Sequence, residues 1–143
     1  MQKVISLINI AMGVLTILVG GLHFLMMDHL RDWIYSQVSA KDAENILAVF
    51  NINHIASGVF LILIGIILTY CSIVGLRQGK GWARIIISLF GITLSILVLV
   101  LWTTVPKMFL EAVPFRSALI SLFIIGLLIV IPLQLCKKYF NIL

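Results

Sequence analysis

Charged residues divide the chain into alternating polar and apolar segments, and four long segments contain no Asp, Glu, Lys or Arg. These segments are 24, 32, 22 and 20 residues long and cover 4–27, 45–76, 85–106 and 117–136. About 20 apolar residues are enough for a helix to cross a hydrocarbon core roughly 30 Å thick. The pattern predicts an all-α integral membrane four-helix bundle, a single transmembrane domain over 1–143 whose spans cover 4–27, 50–75, 83–105 and 116–136.

Polar residues mark where the second span begins and ends. Ser39 followed by Asp42 is a capping box in which Asp replaces the usual Glu, and Gly75 is a typical helix terminator. The predicted helix over 40–74 is on the order of 50 Å long, so its first turns must stand outside the hydrocarbon. Residues 28–37 carry apolar side chains at helical spacing, which predicts a short amphipathic helix in the outer connection between the first two spans.

Composition supports a membrane protein. The chain is 62% hydrophobic and only 10% charged, and its mean hydropathy is +1.22. A soluble chain of this size needs far more polar sequence to cover its core. Lipid must therefore solvate the apolar surface.

The charges orient the predicted helices. One side of the membrane receives six bases and no acid: Lys3, Arg77, Lys80, Arg84, Lys137 and Lys138. The other side receives four bases and all five acids: Arg31, Lys41, Lys107, Arg116, Asp28, Asp32, Asp42, Glu44 and Glu111. Because Lys and Arg are retained on the cytoplasmic side, both termini and the connection between the second and third spans are predicted to be cytoplasmic. We expect a multi-pass protein of the bacterial cytoplasmic membrane. Six bases spread over three short segments do not predict a nucleic-acid partner.

Each predicted span has one face of small or polar residues. The faces comprise Asn9, Gly13, Thr16, Gly20 and His23; His54, Gly58, Leu61, Gly65 and Ser72; Ser88, Gly91, Ser95 and Trp102; and Ser117 and Ser121. Small residues let membrane helices approach closely, so these faces are predicted to lie inside the bundle. Ile17 and Leu63 are predicted to face lipid instead.

The candidate cofactor-binding residues are His23 and His54. They lie roughly 30 and 35 Å along their helices from the cytoplasmic edge, so their depths match to about one turn. Ionisable side chains in membrane spans are costly and usually functional. Two facing histidines are able to bind a haem iron or a divalent metal, or to relay a proton. The competing interpretation is a purely structural hydrogen-bonded pair. His29 and Asp32 share a helical face and form a weaker candidate metal site, although the cation Arg31 lies between them in the sequence.

Catalytic motifs are absent, and the spans contain no carboxylate. There is no nucleophile elbow, zinc-protease motif, phosphate loop or Cys-x-x-Cys pair, so an enzyme is not expected. The expected function is that of a non-enzymatic accessory, assembly or stabilising component of a membrane complex. Its partners would be the bilayer and either other membrane subunits or a second copy of the chain. Two alternatives stay open: a haem- or metal-binding protein using His23 and His54, and a lipid- or quinone-binding protein with a cavity between the helices beneath Trp33 and Phe50.

Overall fold

The computed structural model describes residues 1–140, with residues 108 and 114 described by their backbone only. Its helices are α1 (Gln2–Leu25), α2 (Met27–Gln37), α3 (Ala40–Val74), α4 (Gly81–Thr104), α5 (Lys107–Glu111) and α6 (Val113–Leu135). Two short 3-10 turns cover Leu76–Gln78 and Lys137–Tyr139. Within the described residues, four helices (α1, α3, α4 and α6) are long and apolar enough to cross a membrane. The chain is therefore an all-α protein of the multi-pass membrane class.

The long helix α3 begins and ends as predicted. The Ser39 hydroxyl accepts a 3.3 Å hydrogen bond from the Asp42 amide and donates one of 2.6 Å to the Asp42 carboxylate. Gly75 caps the other end, where its amide bonds the carbonyl oxygen of residue 71. The first turns of α3 pack on α2 through a separate buried cluster of Ile34, Ala43 and Leu47. That contact stabilises the first turns of α3, which extend beyond the thickness of a bilayer.

The most extensive helix interface joins α1 to α3, and glycines allow it to be close. A methyl group at Gly65 would lie 2.5 Å from the Gly13 carbonyl oxygen, and one at Gly20 would lie 2.7 Å from the Gly58 carbonyl oxygen. Backbone therefore meets backbone at two levels of the pair. This confirms that Gly13, Gly20, Gly58 and Gly65 face a neighbouring helix.

The second extensive interface joins α4 to α6. Gly91 and Gly126 meet there, since a methyl group on either would lie 3.0–3.1 Å from the other's carbonyl oxygen. One turn away, the Gln134 side-chain amide donates a 3.2 Å hydrogen bond to the Ser88 hydroxyl. The interior face of α6 is otherwise aliphatic, formed by Leu119, Leu122, Ile125, Ile129 and Leu133. The faces predicted from the sequence include the α4 side of this contact, Ser88 and Gly91, but not Gly126.

Several predicted faces are wrong. Ser117 and Ser121 on α6 and Trp102 on α4 are exposed. The Ser117 hydroxyl donates to the backbone carbonyl of residue 113 in its own helix, which satisfies this donor on an exposed face. Ile17, predicted to face lipid, packs against Gly65 of α3. Leu63 is exposed, as predicted.

Bases and acids lie at opposite ends of the helices. The Gln2 side-chain amide donates a 2.6 Å hydrogen bond to the Tyr139 carbonyl oxygen. Gln2 also packs against Gly79, whose φ of 74° is left-handed and favours glycine. The start of α1, the turn before α4 and the end of α6 therefore meet. We call this the basic end, defined by Lys3, Arg77, Lys80, Arg84, Lys137 and Lys138. The five acids lie at the opposite end, in α2, at the start of α3 and in α5.

Candidate functional site

The two candidate histidines lie side by side at the end opposite the basic end. His23 is in the last turn of α1, and His54 projects from α3 toward it. Their ring centroids are 4.5 Å apart, and the ring planes are inclined by 28°. The predicted approach of the two imidazoles is confirmed. The close glycine contacts of α1 with α3 hold the two rings at the same level.

Both rings are hydrogen-bonded to backbone carbonyl groups of α1. The Nε2 of His54 lies 2.7 Å from the His23 carbonyl oxygen, and the Nδ1 of His23 lies 2.9 Å from the Val19 carbonyl oxygen. A carbonyl oxygen only accepts, so each of these ring nitrogens carries a proton. The His54 bond also satisfies a carbonyl at the end of α1, where helices leave carbonyl groups unpaired. The contact therefore ties α3 to the end of α1.

The stacked arrangement does not fit a shared axial haem pair. The free lone pair of an imidazole lies in the ring plane, and two nearly parallel rings direct their lone pairs side by side instead of toward one atom. If His23 and His54 bound opposite sides of one iron, each nitrogen would be about 2 Å from the iron. The two ring centroids would then be much farther apart than the observed 4.5 Å. The geometry favours the structural hydrogen-bonded pair over a haem or a bridging metal.

Aromatic rings extend the histidine pair toward α5. Phe50 stacks on His54 with centroids 5.4 Å apart, and Phe109 stacks on Phe50 at 6.2 Å. Phe109 also meets Trp33 at 5.3 Å and Phe115 at 5.9 Å. The short helix α5 is thereby anchored onto α2 and α3. Phe109 was not among the residues predicted from the sequence, although its position in a short segment between two prolines was a usable signal.

A cavity of about 320 Å³ adjoins this aromatic cluster, at the end opposite the basic end. We call it the terminal pocket. Trp33, Phe109 and Phe115 form its apolar wall, and His29 and Asp32 are the polar side chains of its lining. Phe50 packs against Phe109 and is not among the lining residues, so this pocket lies between α2, α5 and the start of α6 and differs from the expected cavity between the spanning helices beneath Trp33 and Phe50.

A second depression lies at membrane depth between α3 and α4. It has a volume of about 310 Å³ and is lined by Phe60, Ile86, Leu89, Phe90 and Thr93. We call it the lateral groove. Thr93 is exposed, and its hydroxyl makes no hydrogen bond within residues 1–140. It lies twelve residues after the start of α4 and eleven before its end, so it is close to the middle of the span.

His29 and Asp32 do not form part of a larger ligand set. In the described part of the chain, no group of three or more His, Cys, Asp or Glu side chains is arranged to hold a metal ion. Arg31 pairs with Asp28 at 3.2 Å and lies 3.9 Å from Asp32. The acids near the terminal pocket therefore have a cation beside them.

No protein-family model matches the chain, and no curated protein or solved structure is significantly similar to it. Function is therefore inferred from the geometry of the chain itself.

Proposed function

We propose that the four long helices form a membrane-spanning bundle with the basic end in the cytoplasm. Six bases without an acid at one end and all five acids at the other support this orientation. Both termini then face the cytoplasm of a bacterial cell, and α2 lies at the outer interface. Trp33, which faces the terminal pocket, is at the depth where aromatic side chains are enriched.

We propose that the protein is a non-enzymatic accessory or stabilising component of a membrane complex. The hydroxyl side chains of the spanning helices have a structural role in helix packing. Ser6 donates to the carbonyl oxygen of Ser72 across the α1–α3 interface. Four others donate to the carbonyl four residues earlier in their own helix: Thr16, Thr69, Ser72 and Ser95. Because these hydroxyls are bonded to backbone carbonyls, with no base beside them, they are not activated as nucleophiles.

The lateral groove is the observation that carries this proposal. The Thr93 hydroxyl, unlike those that donate to their own helix, makes no hydrogen bond within the described residues, and hydroxyl groups often form hydrogen bonds between membrane helices. Thr93 lies roughly 17 Å from either end of α4, where water does not reach. A helix of another membrane subunit seated in the groove would bury Leu89 and Phe90 and give Thr93 a hydrogen-bond partner.

Photocrosslinking in native membranes tests the groove. A photoreactive residue at Leu89 should give a discrete adduct with a second membrane polypeptide. The matched control is Ile92, which is exposed at similar depth but does not line the groove. Thr93→Val should weaken the Leu89 adduct. Equal adducts from both positions, or an adduct of twice the 15.9 kDa chain mass, would contradict a docked subunit; the latter would indicate a homo-oligomer.

The terminal pocket favours a second candidate, a protein that binds a quinone-type ring. Small-molecule sites are mostly apolar, occupy about 300–1,000 Å³ and carry a few polar groups that orient the ligand. The terminal pocket has this character: its wall is aromatic, the His29 imidazole is able to donate to a quinone carbonyl oxygen, and the Asp32 carboxylate is able to accept from a hydroxyl of the reduced ring.

Tryptophan fluorescence tests the second candidate. A short-chain quinone in detergent should quench Trp33, and Phe109→Ala should weaken its binding. Trp33→Phe is the control, since the chain has only three tryptophans and the quenching must disappear with Trp33. Quenching that persists in Trp33→Phe would locate the quinone elsewhere and refute this use of the pocket.

A further inference from the structure

The six bases of the basic end belong to three segments that meet around one residue. Gln2, beside Lys3, bonds the backbone of Tyr139, which follows Lys138. Gln2 also packs against Gly79, which precedes Lys80. The start of α1, the turn before α4 and the end of α6 therefore bring their cations to one surface. In the described part of the chain this surface has no acid to balance them.

Arg84 adds a buried donor to this surface. It is one turn before Ser88 on the face of α4 that meets α6, and Lys138 is one turn beyond Gln134, the partner of Ser88. Arg84 and Lys138 therefore both lie on the basic-end side of the Ser88–Gln134 contact, with Lys138 in the turn that follows α6. The Nε of Arg84 is buried and has no hydrogen-bond partner among residues 1–140. Arg84 as a whole is only partly buried, so an anion is able to approach the rest of its guanidinium group, and an unpaired donor beside it favours an acceptor.

Apolar side chains are exposed near the ends of α4 and α6 at the basic end. Trp82 and Ile85 on α4 are exposed, and Leu135 at the end of α6 is 78% exposed. These side chains continue the lipid-facing surface of the spans up to the level of Arg84. An anion carrying acyl chains would place its headgroup among the bases and its chains along these residues.

We propose that the basic end binds the phosphate headgroup of an anionic phospholipid between α4 and α6, with Arg84 and Lys138 as its principal contacts. Arginine holds phosphate through parallel N–H donors, and lysine adds a point charge. This inference does not depend on the proposed accessory function. A partner helix would occupy the lateral groove, whereas the lipid occupies the basic end.

Native mass spectrometry of the full chain in mild detergent tests the proposal. The protein is mixed with phosphatidylglycerol or phosphatidylcholine of identical acyl chains, and the retained lipid is counted. Phosphatidylglycerol should be retained preferentially, and Arg84→Gln or Lys138→Gln should each lower its retention about fivefold. The matched controls are Lys107→Gln and Arg116→Gln, which remove the same charge at the opposite end and should leave retention unchanged.

The outcomes are distinct. Equal retention of the two lipids, or an equal loss in the control variants, would overturn the proposal. Displacement of phosphatidylglycerol by inorganic phosphate would also overturn it, because the site would then take a free anion. If Arg84→Gln does not fold, the double variant Lys137→Gln/Lys138→Gln changes only exposed side chains and should still lower retention more than tenfold.

Discussion

Replacing Gly65 by alanine should separate close helix packing from helix propensity. The added methyl group would lie 2.5 Å from the Gly13 carbonyl oxygen and 2.9 Å from the Ile17 amide nitrogen. Both are backbone atoms, so α1 must move outward by about 1 Å to restore ordinary contact near 3.5 Å. The substitution Gly21→Ala is the matched control, because a methyl group there meets no atom within 4 Å.

The two variants should change stability in opposite directions. In both, alanine favours the helix by about 1 kcal/mol over glycine. Overpacking at Gly65 costs about 1–3 kcal/mol, toward the upper end here because backbone cannot yield as a side chain does. We therefore expect Gly65→Ala to lose about 1–2 kcal/mol net and Gly21→Ala to be neutral or more stable.

Equilibrium unfolding in mixed micelles, followed by circular dichroism, measures both free energies under one set of conditions. If Gly65→Ala is as stable as Gly21→Ala, then α1 and α3 do not meet backbone to backbone. The glycines would then not account for the α1–α3 contact.

Three further predictions concern the topology, the histidine pair and the faces of α1 and α3. In a cysteine-free background, a cysteine at Lys107 should be labelled from outside intact cells and one at Lys80 should not; the reverse pattern would invert the proposed topology. His54→Ala should cost about 1 kcal/mol, the usual value of an interhelical hydrogen bond in a membrane, and the purified protein should show no Soret band; a band that disappears in His54→Ala would restore the haem interpretation. Leu63→Phe should be tolerated in a thermal melt, whereas Ile17→Phe should destabilise, because Leu63 is exposed and Ile17 packs on α3; equal melting temperatures would show that Ile17 faces lipid.

The sequence alone determined the features that depend on local chemistry. The charge-free segments predicted the membrane-spanning helices, because length and apolarity decide whether a helix can cross a bilayer. Ser39 and Gly75 predicted both ends of α3, because caps satisfy backbone groups within a few residues. The interior faces of α1 and α3 were also predictable, since small residues recur there at helical spacing and therefore lie on a single face of each helix.

Part of the candidate site was also predictable from the sequence. Matched depth along two helices joined by a short connection predicted that His23 and His54 approach each other. Their stacking and the bonds to α1 carbonyl groups were not predictable, because ring orientation depends on how closely α1 and α3 approach.

Tertiary structure decided which apolar surfaces meet. The interior of α6 is aliphatic, and its exposed faces are aliphatic too, so Ser117 and Ser121 gave a misleading signal about its orientation. Lipid chains are as apolar as leucine, which means that hydrophobic pattern does not separate a buried face from a lipid-facing one. Gly126 is interior because Gly91 and Ser95 of α4 lie against it. Phe109 joins the terminal pocket because α5 folds back onto α2 and α3, a contact between distant segments that no local periodicity encodes.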